Sequence, residues 1–248
     1  MSVHFIGAGP GAADLITVRG RDLLERCTVC LYAGSLVPTE LLAACPPGAR
    51  LVDTRELNLD QIVEELITGH REGHEIARLC SGDPAVFSAV AEQTRRLDAA
   101  GVPYDITPGV PAFAAAAATL RQELTVPGVG QSVVLTRISA MATPMPPGED
   151  LATLGASRAT LVLHLAVQRI DAVVGELLPN YGADCPVAVV ARASREDELV
   201  LRGHLADIAA QVHAAGVRRT AVIIVGRVLA VPGRDSHLYS SARERGAG

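Results

Sequence analysis

The chain has 248 residues, 49% of them hydrophobic and 20% charged, a globular balance with length for one large or two modest α/β domains. Its formal net charge is −5, tryptophan is absent and aromatics make up 3%, so it lacks both the positive face that phosphates demand and the platforms on which bases stack; a nucleic-acid partner is not expected. The most apolar stretch, Ala112–Leu120, is alanine-rich and too short to cross a bilayer, and Val3–Ile6 meets a glycine turn with no basic segment before it, which reads as a cytoplasmic protein without signal peptide or membrane contact.

Short β-rich runs then alternate with helix-length segments. Strands are predicted over Val3–Ile6, Thr28–Tyr32, Arg50–Asp53, Glu75–Cys80 and Tyr104–Thr107, with helices over Thr17–Arg26, Thr39–Ala44, Asn58–Glu72 and Ala85–Ala100. Asn58 can cap the third helix while Gln61 reaches back to the cap amide, and Ile62, Val63, Leu66 and Ile67 fall on one face. Alternation of this kind implies an α/β fold with a mostly parallel sheet and helices on its faces. Ala112–Leu120 reads as a helix, and Thr125–Gly130 as a linker. A second α/β series follows, with strands Val133–Thr136, Thr160–Leu165, Val187–Ala191, Leu199–Arg202 and Val222–Val225 and helices Ile170–Leu178 and Leu205–Ala215. The expected domains are therefore 1–124 and 125–248. The prolines of Thr143–Gly148 exclude helix and inner strand there, leaving an exposed loop. The polar tail after Pro232 is expected to be poorly ordered at its end.

Three glycine-bearing loops follow predicted strands. Gly7-Ala8-Gly9-Pro10-Gly11 partly fits a dinucleotide fingerprint, but Pro10 removes an amide where pyrophosphate would sit, and no acid ends the second strand to hold a ribose about 20 residues on. In Cys80-Ser81-Gly82-Asp83-Pro84, Gly82 allows close backbone approach, Asp83 is free to accept a ligand's hydrogen bonds, and Pro84 suits the first turn of a helix. In Thr107-Pro108-Gly109-Val110-Pro111-Ala112, small residues open a helix. All three leave the carboxyl edge of one sheet, where open α/β sheets bind ligands.

The three loops, in this order and spacing, resemble those of the tetrapyrrole (precorrin) methylases, and the likeness covers nearly the whole chain. Tyr32-Ala33-Gly34-Ser35-Leu36-Val37 and Leu135-Thr136-Arg137 leading to Thr143-Pro144-Met145-Pro146 resemble the branch that methylates precorrin-4 at C-11. The resemblance implies two α/β domains with the active site in a trough between them, S-adenosylmethionine as methyl donor, precorrin-4 or a related tetrapyrrole polycarboxylate as substrate, and a homodimer. Carried over by position, cofactor contacts would come from Gly9, Pro10, Ser81, Gly82, Asp83, Val86, Pro111, Ala112, Leu165 and Ala193. Ser81, Pro111, Leu165 and Ala193 depart from residues found in some relatives, so backbone rather than side-chain contacts are expected there.

A sulfonium methyl is taken in one in-line displacement by an electron-rich carbon, so no protein nucleophile is required; no triad or carboxylate pair is found. The histidines at 4, 70, 74, 164, 204, 213 and 237 are scattered, and His70 and His74 lack a third ligand, so no metal is expected. Cys27-x-x-Cys30 has redox or zinc spacing but no completing pair, and the five cysteines read as reduced thiols in strands. Arginine pairs with carboxylates in bidentate fashion. Arg55, Arg71, Arg137, Arg192 and Arg195 are candidates for a basic trough, with Arg137 foremost; Tyr32 and Ser35 are further substrate-facing candidates. The competing readings are a nucleotide-dependent oxidoreductase, a binding protein that keeps the fold without the chemistry, and a relative acting at another precorrin position or on cobalt-precorrin-4.

Overall fold

A computed structural model describes residues 2–138 and 143–233; the expected tail beyond, with His237, lies outside the described residues. The chain divides into two compact units, Met1–Ala115 and Ala116–Gly248, the division falling inside a helix and ahead of the expected 124/125 boundary.

The first unit carries a five-stranded sheet in the order β3-β2-β4-β1-β5, built from β1 (Val3–Gly7), β2 (Val29–Tyr32), β3 (Arg50–Asp53), β4 (Ile76–Cys80) and β5 (Tyr104–Thr107), every pair parallel. β1 and β4 lie at the centre and are buried along their whole length, as strands covered on both faces must be. Phe5, Leu31, Leu66, Ile76 and Leu97 are fully buried, each contributing about 1.5–3 kcal/mol by leaving water. The helices are α1 (Val18–Leu24), α2 (Thr39–Leu42), α3 (Leu59–Arg71) and α4 (Val90–Ala99), while α5 (Ala112–Leu120) begins in this unit and ends in the second. The α3 capping box forms as expected: Gln61 N donates to Asn58 Oδ1 at 3.0 Å and Asn58 N to Gln61 Oε1 at 2.9 Å. The connection after β1 runs toward β2, and that after β4 crosses to β5. The two central strands therefore send their loops to opposite sides, the arrangement that leaves a crevice at the carboxyl edge.

Two expectations for this unit fail. α4 begins at Val90, not Ala85, because Phe87 and Ala89 take left-handed backbone (φ 52° each), and Pro84 lies in a turn rather than in a first helical turn. Of the cysteines, only Cys30 and Cys80 lie in strands; all five are free thiols.

The second unit holds β6 (Val133–Arg137), β7 (Thr160–His164), β8 (Pro186–Ala191), β9 (Leu199–His204) and β10 (Ala221–Val225) in the order β6-β7-β10-β8-β9. Unlike the first sheet this one is mixed: only β6 and β7 are parallel. A short loop folds β9 back on β8, and β10 is inserted antiparallel between β7 and β8. α6 (Leu151–Gly155), α7 (Ile170–Tyr181) and α8 (Ile208–Ala214) complete the unit. α6 was not expected from the sequence; its signal is Asp150, which caps Thr153 N at 2.9 Å.

Candidate active site

At the carboxyl edge of the first sheet, three turns are packed backbone on backbone. A Cβ on Gly7 would lie 2.4 Å from Gly109 Cα, and one on Gly109 would lie 2.2 Å from Gly82 O. No side chain fits either position, and neither neighbour can yield, since both are main chain. Gly9 and Gly82 form a small antiparallel bridge, Gly82 N donating to Gly9 O at 2.7 Å and Gly9 N to Gly82 O at 3.2 Å. Gly9 (φ +76°) and Gly82 (φ +67°) both need the left-handed region. The turns near residues 9, 82 and 109 thus meet.

Asp83 ties this rim together. Its Oδ2 accepts from Gly109 N at 2.8 Å and its Oδ1 from Ala85 N at 2.7 Å. The expectation that this carboxylate is free for a ligand fails: both oxygens are engaged by backbone amides, and Asp83 is a brace between two loops. Above Gly82 a notch remains. A Cβ there would meet Ala112 N, Pro111 Cα and Val110 O only at 3.6–3.9 Å, ordinary contact distances. The notch therefore opens on the first turn of α5, where the positive end of the helix dipole favours a negative group. Phe87, 46% exposed, stands on the same loop as Asp83. These features fit S-adenosylmethionine: a backbone cradle for the methionine end, a helix start for its carboxylate, and apolar surface.

The same geometry disfavours a dinucleotide. Past Gly9 the chain makes a 3-10 turn over Ala13–Leu15, whose Leu15 O would lie 2.8 Å from a Cβ on Gly9; α1 starts only at Val18, capped by Thr17. No helix N-terminus stands behind the glycine turn to receive pyrophosphate.

At the ends of β2 and β3, two loops are clasped by a residue the sequence reading passed over. Asp53 Oδ1 accepts from Gly34 N (3.1 Å) and Arg55 N (3.0 Å), while Oδ2 accepts from Arg55 Nε (2.7 Å). Partial desolvation opposes its charge, but the bonds from Arg55 and Gly34 hold the Asp53 carboxyl below its usual 3.8. The stem of Arg55 lies over Gly34, where a Cβ would be 1.9 Å from Cδ. With Nε fixed, the end of the guanidinium projects from an exposed side chain, shaped for a carboxylate. Thr54 Oγ1 adds a 3.0 Å bond to Tyr32 O, so the Tyr32 segment is pinned at both ends. The Ser35 side chain lies outside the described part of the structure.

The second unit builds its edge from side chains. Leu165, directly after β7, is 66% exposed at φ +54°, a strained placement for leucine. The loop after β8 holds Arg192 (φ 51°) and Ser194 (φ 67°) on either side of buried Ala193. Glu198 Oε2 braces that loop, accepting from Ser194 N at 2.7 Å and from Thr119 Oγ1 of α5 at 3.0 Å. Arg137 ends β6 and donates from Nη2 to Thr143 O at 2.9 Å; residues 139–142 of the same motif lie outside the described residues. Beside it in register, His164 is partly buried, and that burial lowers its pKa below 6.5.

The expected cofactor residues Gly9, Ser81, Gly82, Asp83, Val86, Pro111 and Ala112 lie on the first rim, with Gly9, Gly82 and Pro10 buried and the others partly exposed; Leu165 and Ala193 lie on the second unit's edge. Two arginine candidates change status. Arg71 ends α3 ahead of β4, at the opposite edge of its sheet, and Arg192 is paired with Asp197 at 2.6 Å. Asp53 and Glu198 were missed because each acts across loops distant in sequence.

Comparison with known proteins bears on this geometry. Residues 2–209 match the Tetrapyrrole (Corrin/Porphyrin) Methylases. A precorrin-4 C(11)-methyltransferase of Rhodococcus erythropolis is 65% identical over 99% of both chains. The X-ray structure of a cobalt precorrin-4 methyltransferase superposes with TM-score 0.89 at 38% identity, covering 92% of this chain and 95% of that one. A uroporphyrin-III C-methyltransferase of Thermus thermophilus, complexed with S-adenyl homocysteine, reaches TM-score 0.77 at 28% identity, covering 92% and 93%.

Proposed function

The chain belongs to the tetrapyrrole methylase family, and on that premise we propose that it transfers the methyl group of S-adenosylmethionine to C-11 of precorrin-4, giving precorrin-5 in cobalamin biosynthesis. The observation that carries this reading is the backbone rim of Gly7, Gly82 and Gly109 with its Asp83 brace, in a chain that is 65% identical end to end to a precorrin-4 C(11)-methyltransferase.

When bound, S-adenosylmethionine supplies an electrophilic methyl on a sulfonium. The rim of Gly9, Gly82 and Pro111–Ala112 holds the methionine portion, and Asp83 keeps the loops in register. Leu165 and Ala193 fall where the family lines the adenine and methionine ends of the cofactor. Arg55, fixed by Asp53, and Arg137 take carboxylates of the tetrapyrrole, with Tyr32 beside Arg55's loop. The electron pair for the new C–C bond comes from the ring carbon, so the protein acts by placing donor and acceptor in line; orientation of this kind is worth roughly 7–11 kcal/mol of barrier. The metal-free substrate is preferred over cobalt-precorrin-4, because identity to the precorrin-4 enzyme is 65% and to the cobalt-precorrin-4 enzymes 38–41%.

The test is incubation with S-adenosylmethionine labelled with carbon-13 on its methyl, offering precorrin-4 and cobalt-precorrin-4 in competition. A single labelled methyl at C-11 of the metal-free ring is expected. No transfer, or a label on another carbon, would overturn the assignment.

A further inference from the structure

Cys27, Cys30 and Cys45 play no part in the proposed chemistry, yet they converge in one apolar cluster. Cys27 lies in the turn between α1 and β2, Cys30 within β2, and Cys45 just after α2, packed among Leu23, Leu24, Val37 and Leu41. Cys27 Sγ and Cys45 Sγ are 4.0 Å apart. Cys27 and Cys30 are buried, at 1% and 0% exposure, whereas Cys45 is partly exposed ahead of Pro46 and an open turn at Gly48.

The three are not equivalent. Bonds from the Cys27 and then the Cys30 thiol hold the Cys45 sulfur well below the usual thiol range, and its own partial burial does not offset them. Bonds to Cys27 and Cys45, together with burial, push Cys30 upward. The accessible member is thus the one most readily ionised, and thiolate character with exposure selects which cysteine reacts. Its neighbour at 4.0 Å needs to close about 2 Å to reach disulfide length, within the range of side-chain rotation where Cys45 sits outside regular structure. Among the described residues no group of three His, Cys, Asp or Glu is disposed to hold a metal ion, which separates this trio from a zinc site.

We propose that Cys45 and Cys27 form an oxidisable dithiol site, with hydrogen peroxide or a related hydroperoxide as oxidant, Cys45 as the attacking thiolate and Cys27 as the resolving thiol. In the first step the Cys45 thiolate displaces hydroxide from peroxide; the sulfur becomes a sulfenic acid, the O–O bond breaks, and the hydroxide takes a proton to leave as water. In the second step Cys27 sulfur attacks the sulfenic sulfur, the S–O bond breaks, and the Cys27 proton leaves with the oxygen as a second water. Two thiols are oxidised and one peroxide is reduced. The bond closes a loop holding β2, the Tyr32–Val37 stretch and α2, so the modification is anchored to the segment that carries Tyr32.

Native protein would be treated with hydrogen peroxide, quenched, alkylated and cleaved after glutamate without reduction. Cleavage at Glu40 separates Cys27 and Cys30 from Cys45. The expected result is a cross-linked peptide pair whose fragmentation places the bond at Cys27, and a fall in free thiols from five to three, reversed by dithiothreitol, with Cys80 and Cys185 still reduced. Retention of all five thiols, prior reaction of Cys80 or Cys185, a bond from Cys45 to Cys30, or passage of Cys45 to sulfinic acid would overturn the proposal. In Cys27→Ser the reaction should stop at a Cys45 sulfenic acid trapped by dimedone; a Cys45 that stays a free thiol would contradict it. Neither readout uses methyl transfer, so failure here and failure of the methyltransferase reading are distinguishable.

Discussion

In the first unit the carboxyl edge of the sheet is stripped to backbone: Gly7, Gly82 and Gly109 touch main chain to main chain, and one carboxylate, Asp83, holds the loops. In the second unit the edge keeps its side chains and bends the backbone instead, with Leu165, Arg192, Ser194 and Thr220 all at positive φ and Glu198 as the brace. Removing side chains lets a ligand lie against peptide groups and leaves no slack for substitution. Bending side-chain-bearing backbone stores strain of about 1–3 kcal/mol per residue and presents a chosen side chain, as at Leu165. The first edge should therefore fail by loss of fold when altered, and the second by loss of affinity.

The largest effect should come from Gly109→Ala. Its Cβ meets Gly82 O at 2.2 Å, and because both partners are backbone the cost should be about 3 kcal/mol or more, read as a lowered denaturation midpoint. A stable Gly109→Ala protein would break the comparison. Gly82→Ala sharpens it: the position has room, so the expected stability cost is only the left-handed strain, about 1–2 kcal/mol, while S-adenosylhomocysteine binding measured by calorimetry falls at least tenfold. Asp83→Ala leaves two loop amides without their acceptor and should cost about 1–3 kcal/mol, with a matching loss of cofactor affinity. In the second unit, Leu165→Gly trades relief of strain against added chain entropy and should leave stability within about 1 kcal/mol of the parent while weakening cofactor binding.

The smallest effect is a pH dependence. Burial lowers the His164 pKa below its ordinary 6.5, so the folded state binds fewer protons than the unfolded chain between the two values. This group costs nothing above pH 6.5 and opposes folding as pH falls below it, levelling off once the folded-state pKa is passed. His164→Gln should remove that part of the acid slope in urea titrations at stepped pH. An unchanged slope would mean His164 is not the group responsible.

Much of the first unit was legible because its signals are local. Short β-rich apolar runs gave the strands, and Asn58 with Gln61 gave a helix start that the structure reproduces atom for atom. The glycine loops were legible as loops, since only backbone approach explains so many small residues after strands. What was not legible depends on contacts between distant segments. Asp83 looks like a free ligand until Gly109, 26 residues on, is seen donating to it. Asp53 and Glu198 are ordinary acids in sequence and act as braces only once loops are apposed. The insertion of β10 between β7 and β8 has no local signature at all, because strand composition does not encode which neighbour a strand will choose. The α4 boundary was misplaced for a similar reason: nothing in Phe87 or Ala89 announces a positive φ.

The most direct test of the account is hydrogen–deuterium exchange of the whole chain with and without S-adenosylhomocysteine. Slowed exchange should concentrate at the amides around Gly9, Gly82–Val86 and Gly109–Ala112. Saturating ligand that leaves those amides unchanged while protecting others would contradict the claim that this glycine rim is what grips the methyl donor.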